Sequence, residues 1–252
     1  MSSTFPSGQR PTASDPARPL LTPIKRRSFF MYAGATAGAT ALVLAGCNKD
    51  NNSPNVTDVG SGDFGILNYA YALEQLEAAF YIQILAGSYF TGLAAGSAER
   101  QLFTDLALHE KIHSDFLQKA LGSNAIKQLT PNFSSINFGD RASLLSAAQA
   151  FEDLGVAAYN GAARFIQSAD YLTLAGKIVS VEARHAALIR DTIAYNSFVG
   201  TATGAGIADD VIDPSLSTPT ARQEKSKLPA VVLDTANKFL ADGSKISANS
   251  FR

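Results

Sequence analysis

The sequence predicts an all-α fold built on four long helices, and a doubled motif is the main reason. Glu110-x-x-His113 and Glu182-x-x-His185 each place a carboxylate and an imidazole three residues apart. That spacing puts both side chains of a pair on one face of a helix. One such motif arises often by chance. Two of them, each preceded by a helical stretch with a core-facing glutamate, indicate four helices that share one interior.

The stretches before the two motifs resemble each other. Residues 72–81 and 150–159 align without gaps and contain the core-facing Glu74 and Glu152. The matching positions are Ala72/Ala150, Glu74/Glu152, Leu76/Leu154, Ala79/Ala157 and Tyr81/Tyr159. The chain order is therefore Glu helix, Glu-x-x-His helix, Glu helix, Glu-x-x-His helix. In a four-helix bundle this order can hold a di-iron or di-manganese centre.

The composition favours a packed globular domain and gives no sign of nucleic-acid binding, whereas the histidines and glutamates point to cations. The chain is 46% hydrophobic and has a net charge of −1, and basic residues do not cluster in its body. Its three histidines, His109, His113 and His185, all lie in the motif helices. Four buried glutamates without partners would be very costly, and two divalent cations would balance them. Carboxylate oxygens mixed with imidazole nitrogens favour iron or manganese, although zinc would also bind.

On these motifs the chain resembles the ferritin-like superfamily, especially its secreted bacterial branch related to plant desiccation-associated proteins. The resemblance covers about residues 64–197. It implies an up-down bundle around two iron or two manganese ions, with Glu110 and Glu182 as bridging ligands. The terminal ligands would be one carboxylate and one imidazole per metal. The implied ligand set is Glu74, Glu110, His113, Glu152, Glu182 and His185.

The resemblance implies redox chemistry with a small oxidant, and two other interpretations remain open. Iron would favour oxidation of Fe(II) by oxygen or peroxide, and manganese would favour peroxide disproportionation. The first alternative is a non-catalytic envelope or desiccation-stress protein with a vestigial site. The second follows from His109-Glu110-x-x-His113, which matches the H-E-x-x-H motif of zinc metalloproteases. That alternative leaves the second Glu-x-x-His motif unexplained, and no segment has a strand pattern.

Four further residues could contact the ligands and not the metals themselves. Tyr81 and Tyr159 follow the two terminal glutamates by two helical turns, and each could either fill the core or bond a ligand carboxylate. His109 precedes His113 by one turn and could contact a ligand, lie at the entry to the site or be exposed. Glu77 competes with Glu74 for the first ligand position, but Gly155 stands opposite Glu77 in the repeat, which favours Glu74.

Capping residues and glycines predict where the helices begin and end. The expected helices are 64–85 after Asp63, 98–121 after Ser97, 140–167 from Asp140, and 170–196 after Asp170. Residues 122–139 would form one long crossover between the second and third helices. Such a segment can reach about 60 Å when stretched, and a 24-residue helix is about 36 Å long. The second and third helices can therefore run parallel.

The N-terminal region predicts export and a lipid anchor. Residues 1–47 combine a disordered leader with Lys25-Arg26-Arg27 and an uncharged segment, which looks like a twin-arginine signal. Leu44-Ala45-Gly46-Cys47 resembles a lipobox, which implies lipidation of Cys47, the single cysteine. We expect a bacterial lipoprotein facing the periplasm or the cell surface. An uncleaved membrane anchor is the alternative. Residues 48–62 would be a flexible tether.

The remaining chain divides into the bundle at 63–197 and a C-terminal extension at 198–252. The extension is expected to pack on the bundle, with an irregular segment followed by a short fifth helix at about 229–240. Its apolar face would be Val232, Ala236 and Leu240. A lipidated N-terminus and a long tail fit a monomer or a homodimer better than a cage.

Overall fold

The computed structural model describes residues 56–198 and 224–252. Its helices are α1 (Gly62–Ala86), α2 (Ser88–Gly92), α3 (Ala98–Leu121), α4 (Arg141–Ala162), α5 (Ala169–Ile193) and α6 (Pro229–Ala236). Two short strands are present, β1 (Val56–Asp58) and β2 (Lys245–Ser247). The four long helices α1, α3, α4 and α5 form the bundle, so the predicted all-α ferritin-like fold class is confirmed.

Two reciprocal hydrogen bonds fix the direction of the helices. Tyr81 of α1 donates to Glu152 of α4, and Tyr159 of α4 donates to Glu74 of α1. Seven residues forward in α1 therefore correspond to seven residues backward in α4, so these helices are antiparallel. Helix α1 also packs along α3, and a short connection joins the two, so they are antiparallel; α4 and α5 are paired in the same way. Since α3 and α4 are both antiparallel to α1, they run parallel to each other. The long crossover between them lies where the sequence predicts it.

Helix α1 is buried around almost its whole circumference. One face points into the bundle, and the crossover covers much of the opposite face. Asn68 accepts a hydrogen bond from the Ile126 amide, and Gln75 accepts one from the Leu129 amide. These bonds satisfy loop amides that would otherwise be buried without partners. The first glutamate helix is therefore fixed from both sides.

The ends of three long helices differ in detail from the sequence prediction. Ser97 caps α3 as expected. Helix α4 begins after Asp140 but ends at Ala162, short of the predicted 167, and α5 ends at Ile193, short of 196. The prediction that Asp170 caps α5 is wrong, because Ser168 does so by accepting from the Tyr171 amide.

The predicted N-cap of α1 is also wrong, because Ser61 occupies that position and Asp63 lies in the first turn. The Asp63 carboxylate instead accepts hydrogen bonds from the amides of Gln167 and Ser168. These residues form the connection between α4 and α5. A side chain that sequence reasoning assigned to local capping thus fastens the opposite helix pair to α1.

The predicted tether and the expected absence of strands are wrong for residues 56–62. Strand β1 pairs in parallel with β2, with Thr57 opposite Ile246. Val59 is buried, and the Asp58 carboxylate accepts from the Ser247 hydroxyl and the Asn249 amide group. Three-residue strands are too short to show the alternation that predicts a strand. Residues 1–55, which include the predicted signal and Cys47, lie outside the described residues.

The described part of the C-terminal extension lies against the bundle. Helix α6 corresponds to the expected fifth helix but ends at Ala236, short of the predicted 240, and a 3-10 turn at Asn237–Phe239 follows it. The predicted apolar residues Val232, Ala236 and Leu240 are all buried. A Cβ atom added at Gly161 of α4 would lie 1.8 Å from the Lys227 carbonyl oxygen, so residue 161 lets this segment cross α4 closely. Most of the segment expected to be irregular, residues 199–223, lies outside the described residues.

Within residues 56–198 and 224–252, no helix is both long enough and apolar enough to span a membrane.

Candidate metal centre

Each bundle helix contributes to a cluster of acidic and imidazole side chains in the bundle interior. The four glutamates are 0% exposed, and the two imidazoles are buried. The donors come from α1 (Glu74), α3 (Glu110, His113), α4 (Glu152) and α5 (Glu182, His185). The internal repeat explains this convergence, because it places equivalent core-facing positions on two helix pairs that pack around one interior.

The imidazole contacts divide the cluster into two overlapping groups. The Nδ1 atom of His113 lies 2.8 Å from Glu182 Oε1, 3.3 Å from Glu110 Oε2 and 3.4 Å from Glu74 Oε2. The Nδ1 atom of His185 lies 2.6 Å from Glu110 Oε1 and 3.5 Å from Glu182 Oε2.

The second group is completed by Glu152, whose Oε2 lies 3.6 Å from His185 Nδ1. Glu110 and Glu182 therefore belong to both groups and direct one oxygen toward each. Glu74 belongs to the first group and Glu152 to the second. In each group, one potential ligand atom per residue lies within 4.8 Å of all the others.

The cluster atoms are close to one another, yet most of them do not form hydrogen bonds. Both Nδ1 atoms, both oxygens of Glu110 and Glu182, and Oε2 of Glu74 and Glu152 are buried without a hydrogen-bond partner. The short distances between these atoms lack hydrogen-bond geometry. Buried polar atoms in proteins are normally satisfied. Six carboxylate oxygens and two imidazole nitrogens that face one another without hydrogen bonds fit a pair of bound cations.

Two tyrosines hold the outer oxygens of Glu74 and Glu152. Tyr159 donates to Glu74 Oε1 at 2.5 Å, and Tyr81 donates to Glu152 Oε1. Each bond leaves the Oε2 atom of its glutamate facing the cluster. Burial, then the nearby carboxylates, raise the pKa of both phenols. Both hydroxyls therefore stay protonated and remain donors.

His109 lies outside both groups, packs its ring against both imidazoles and shares a hydrogen bond with one of them. Its Nδ1 atom is 3.0 Å from Nε2 of His185, and its side chain is half-buried. With Nδ1 of His185 directed at the carboxylates, Nε2–H can donate to His109. Such a bond fixes the orientation of a ligating imidazole. Neither donor group in the described residues includes His109, unlike the arrangement that an H-E-x-x-H zinc site requires.

Glu77 is buried between α1 and α4, and the structure places it outside both donor groups. Its Oε1 atom lies 3.0 Å from the position that a Cβ atom would take at Gly155. Burial raises the pKa of Glu77, and the negative charges of Glu74 and Glu182 raise it further. Gly155 therefore makes the space that this extra carboxyl group occupies.

The side chains of the cluster also bind protons strongly. Burial lowers the pKa of His113 and His185, but their carboxylate contacts outweigh it and raise each pKa to about 12. Burial raises the pKa of Glu110, but its contacts with both imidazoles bring it down to about 2. Burial raises the pKa of Glu152 to about 8 despite the contact with His185. The cluster alone is therefore a proton-binding site at neutral pH.

A model of the ferritin-like domain family matches residues 62–195, more than half of the chain. The chain belongs to the ferritin-like domain family. The match covers all four bundle helices of this ferritin-like protein and includes every residue of both donor groups. No curated protein sequence matches the chain. Family membership and the buried Glu/His cluster together support a metal-binding site.

The sequence suggested every residue of the two donor groups, and their role as metal ligands stays a prediction. It suggested His109 and the two tyrosines as contacts of the ligands without naming their partners. The partners follow from the antiparallel pairing of α1 and α4, which the repeat alone does not specify. The contact between Glu77 and Gly155 was visible in the sequence only as a mismatch in the repeat.

Proposed function

We propose that this ferritin-like protein binds two iron or two manganese ions and that the loaded centre reacts with oxygen or peroxide. The observation that carries the proposal is the pair of donor groups sharing Glu110 and Glu182. Each group would hold one ion through three carboxylates and one imidazole. The shared glutamates would bridge the two ions, and Glu74 and Glu152 would each bind one.

Charge supports two ions of charge +2. Four ionised glutamates carry four negative charges, and two divalent cations neutralise them in an interior where an uncompensated charge is very costly. Oxygen donors in the majority with one imidazole for each ion suit iron and manganese. Both metals change oxidation state readily, which supplies the electron transfer that the side chains alone do not.

The protein residues would organise this chemistry and keep bulk water out. Tyr81 and Tyr159 hold the terminal glutamates in place, and His109 orients the imidazole of His185. With iron as substrate, dioxygen would accept one electron from each of two Fe(II) ions and two protons, and would leave as hydrogen peroxide. With manganese, two hydrogen peroxide molecules would give one dioxygen and two water molecules.

Metal content is the decisive measurement. Elemental analysis of the full chain, purified without chelators or metal-affinity steps, should find about two iron or manganese ions per chain. One zinc ion per chain would support the metalloprotease alternative. Failure to bind metal after anaerobic addition of Fe(II) would leave the non-catalytic ferritin-like scaffold as the better interpretation.

Oxidation assays separate a catalyst from a metal-binding scaffold. Oxygen consumption after Fe(II) addition, and oxygen release after peroxide addition to the manganese form, should both be measured. The Glu110→Gln variant should lose either activity together with its metal. A wild-type protein that holds two ions yet reacts with neither oxidant would refute the redox proposal and retain the metal site.

We also propose that the protein is exported and lipid-anchored, on the sequence evidence alone. The support is the twin arginine at 26–27 and the lipobox-like segment that ends at Cys47. Metabolic labelling with an alkyne fatty acid should mark the wild-type chain and not Cys47→Ser. Equal labelling of both would refute lipidation at this residue. The related proposal of a monomer or homodimer is tested by light scattering.

A further inference from the structure

An apolar cavity lies inside the bundle next to the candidate metal centre. The cavity is bounded by residues of all four bundle helices, and polar atoms contribute almost nothing to its lining. It lies toward the connection between α4 and α5, where the N-terminal halves of α1 and α5 meet the C-terminal halves of α3 and α4. The metal donors themselves do not line it.

The inner wall of the cavity is one helical turn away from the donors. Ala70 precedes Glu74 by four residues, Leu117 follows His113 by four, and Ile178 precedes Glu182 by four. Tyr159 also lines the cavity and donates its hydroxyl hydrogen to Glu74. A molecule in the cavity is therefore separated from the metal ligands by a single layer of side chains.

The cavity approaches the surface where its lining residues are half-buried, on α3, on α5 and on the connection before α5. Phe116 of α3 and Ala175 of α5 are two of these residues. The centre of a water-sized molecule can move within a volume of about 20 Å³ in this cavity. That is enough for one such molecule, because about 10–15 Å³ is the minimum for a water. The space is too small for a lipid chain or an aromatic ligand.

The chemistry of the lining selects among the small molecules that fit. A buried water needs two to four polar partners, and apolar cavities without them stay dry. Among the lining residues, the Tyr69 hydroxyl is buried without a hydrogen-bond partner, whereas the Tyr159 hydroxyl already donates to Glu74. A single phenol is fewer partners than a water needs. Hydrogen peroxide has the same need, because it would lose its hydrogen bonds to solvent on entering. Dioxygen forms no strong hydrogen bonds in water and loses little on transfer to an apolar site. The lining therefore favours dioxygen over both.

We propose that this cavity is a dioxygen-binding site that supplies the metal centre from the α3/α5 surface. The inference rests on the proposed function, and it makes dioxygen the preferred oxidant. Dioxygen would enter past Phe116 and Ala175 and stay against Leu117, Ile178 and Tyr159. No bond is made or broken in this binding step, and the oxidation of iron follows the balance given above.

Dissolved oxygen is paramagnetic and can be located in the metal-free full-length protein by NMR. Under oxygen pressure, the methyl protons of Leu117 and Ile178 should relax several-fold faster than those of Leu145 and Leu102. The latter two are matched controls, because their exposed fractions of 2% and 9% are close to the 2% and 8% of Leu117 and Ile178, and neither lines the cavity. Equal oxygen effects on the two pairs would overturn the proposal, and this test requires no metal.

A second test restricts access in the iron-loaded protein. Ala175→Phe places a phenyl group where the cavity approaches the surface. It should raise the oxygen concentration at half-maximal rate several-fold, with kcat, iron affinity and peroxide-driven oxidation unchanged. Ala147→Phe is the matched control, because Ala147 is a half-buried alanine of α4 away from the cavity. Equal effects of the two variants, or an equal loss of oxygen- and peroxide-driven rates in Ala175→Phe, would overturn the proposal.

The two tests keep this inference separate from the proposed function. Selective relaxation at Leu117 and Ile178 in a protein that never oxidises iron would refute the redox chemistry and support the oxygen-binding cavity. Iron oxidation without selective relaxation would support the redox chemistry and refute the cavity.

Discussion

Replacing Glu182 with glutamine is expected to abolish both metal positions, whereas Glu74→Gln is expected to abolish one. Glu182 directs one carboxylate oxygen toward each imidazole, and Glu74 contacts only the group of His113. Glutamine has nearly the same shape and lacks the negative charge. The two variants therefore test whether the bridging and terminal assignments are correct.

The size of the effect follows from ligand linkage. A metal at one hundred times its dissociation constant stabilises the fold by about 2.7 kcal/mol for each site. Two sites would contribute about 5.4 kcal/mol, which raises the Tm of a domain of this size by about 10–20 °C. Glu74→Gln should retain about half of that increase, and Glu182→Gln should retain almost none.

Thermal unfolding with and without Mn(II), combined with elemental analysis, measures both quantities. Glu99→Gln is a suitable control, because Glu99 pairs with Arg141 outside the cluster and is partly exposed. It should keep two ions and the full increase in Tm. Two ions in Glu182→Gln, or equal losses in Glu182→Gln and Glu74→Gln, would refute the bridging arrangement.

Three further predictions concern proton release on metal loading, the role of His109, and the close approach of the C-terminal segment to α4 at Gly161. Because the site imidazoles have a pKa of about 12 and Glu152 one of about 8, and burial raises the pKa of Glu74 well above its ordinary value, metal loading at pH 7 should release about three to four protons, measurable by pH-stat. Acidification should correspondingly expel metal; loading without proton release would contradict the charge assignment. His109→Phe should weaken one of two Mn(II) affinities about 10–100-fold in a titration, and unchanged affinities would exclude an orienting role. Gly161→Ala should lower Tm, because the added methyl group would clash with the backbone of Lys227. Gly176→Ala is the control, since it has open space around it and should gain up to about 1 kcal/mol of stability. Equal changes in Tm for the two variants would refute the close crossing.

Periodicity and spacing explain why so much of the bundle was predictable. A three-residue separation determines which side chains share a helix face, whatever surrounds the helix. The crossover was predictable for a similar reason, because residues 122–139 are long enough to traverse the bundle. The repeat then placed equivalent glutamates on the core-facing sides of the two helix pairs. These are local or length-based properties that one sequence contains in full.

The details that sequence reasoning missed depend on contacts between distant segments. Asp63 has the composition and position of a helix cap, but its partners are amides about one hundred residues away. Strand β1 forms only because β2, near the end of the chain, pairs with it. Neither three-residue strand has a periodic signal of its own. The error over residues 56–62 therefore came from judging a paired segment by its polar composition.

The departures from the internal repeat make the two halves of the centre inequivalent. Glu77 corresponds to Gly155, and the structure brings these two positions together, with Glu77 Oε1 3.0 Å from where a Cβ would stand at Gly155. A second glutamate there would collide with the first, so the mismatch is a steric pair. His109 corresponds to Val181. A valine cannot accept a hydrogen bond from an imidazole, so His109 supports His185 in a way that Val181 cannot support His113. Two nearly identical motifs thus produce two donor groups with different surroundings.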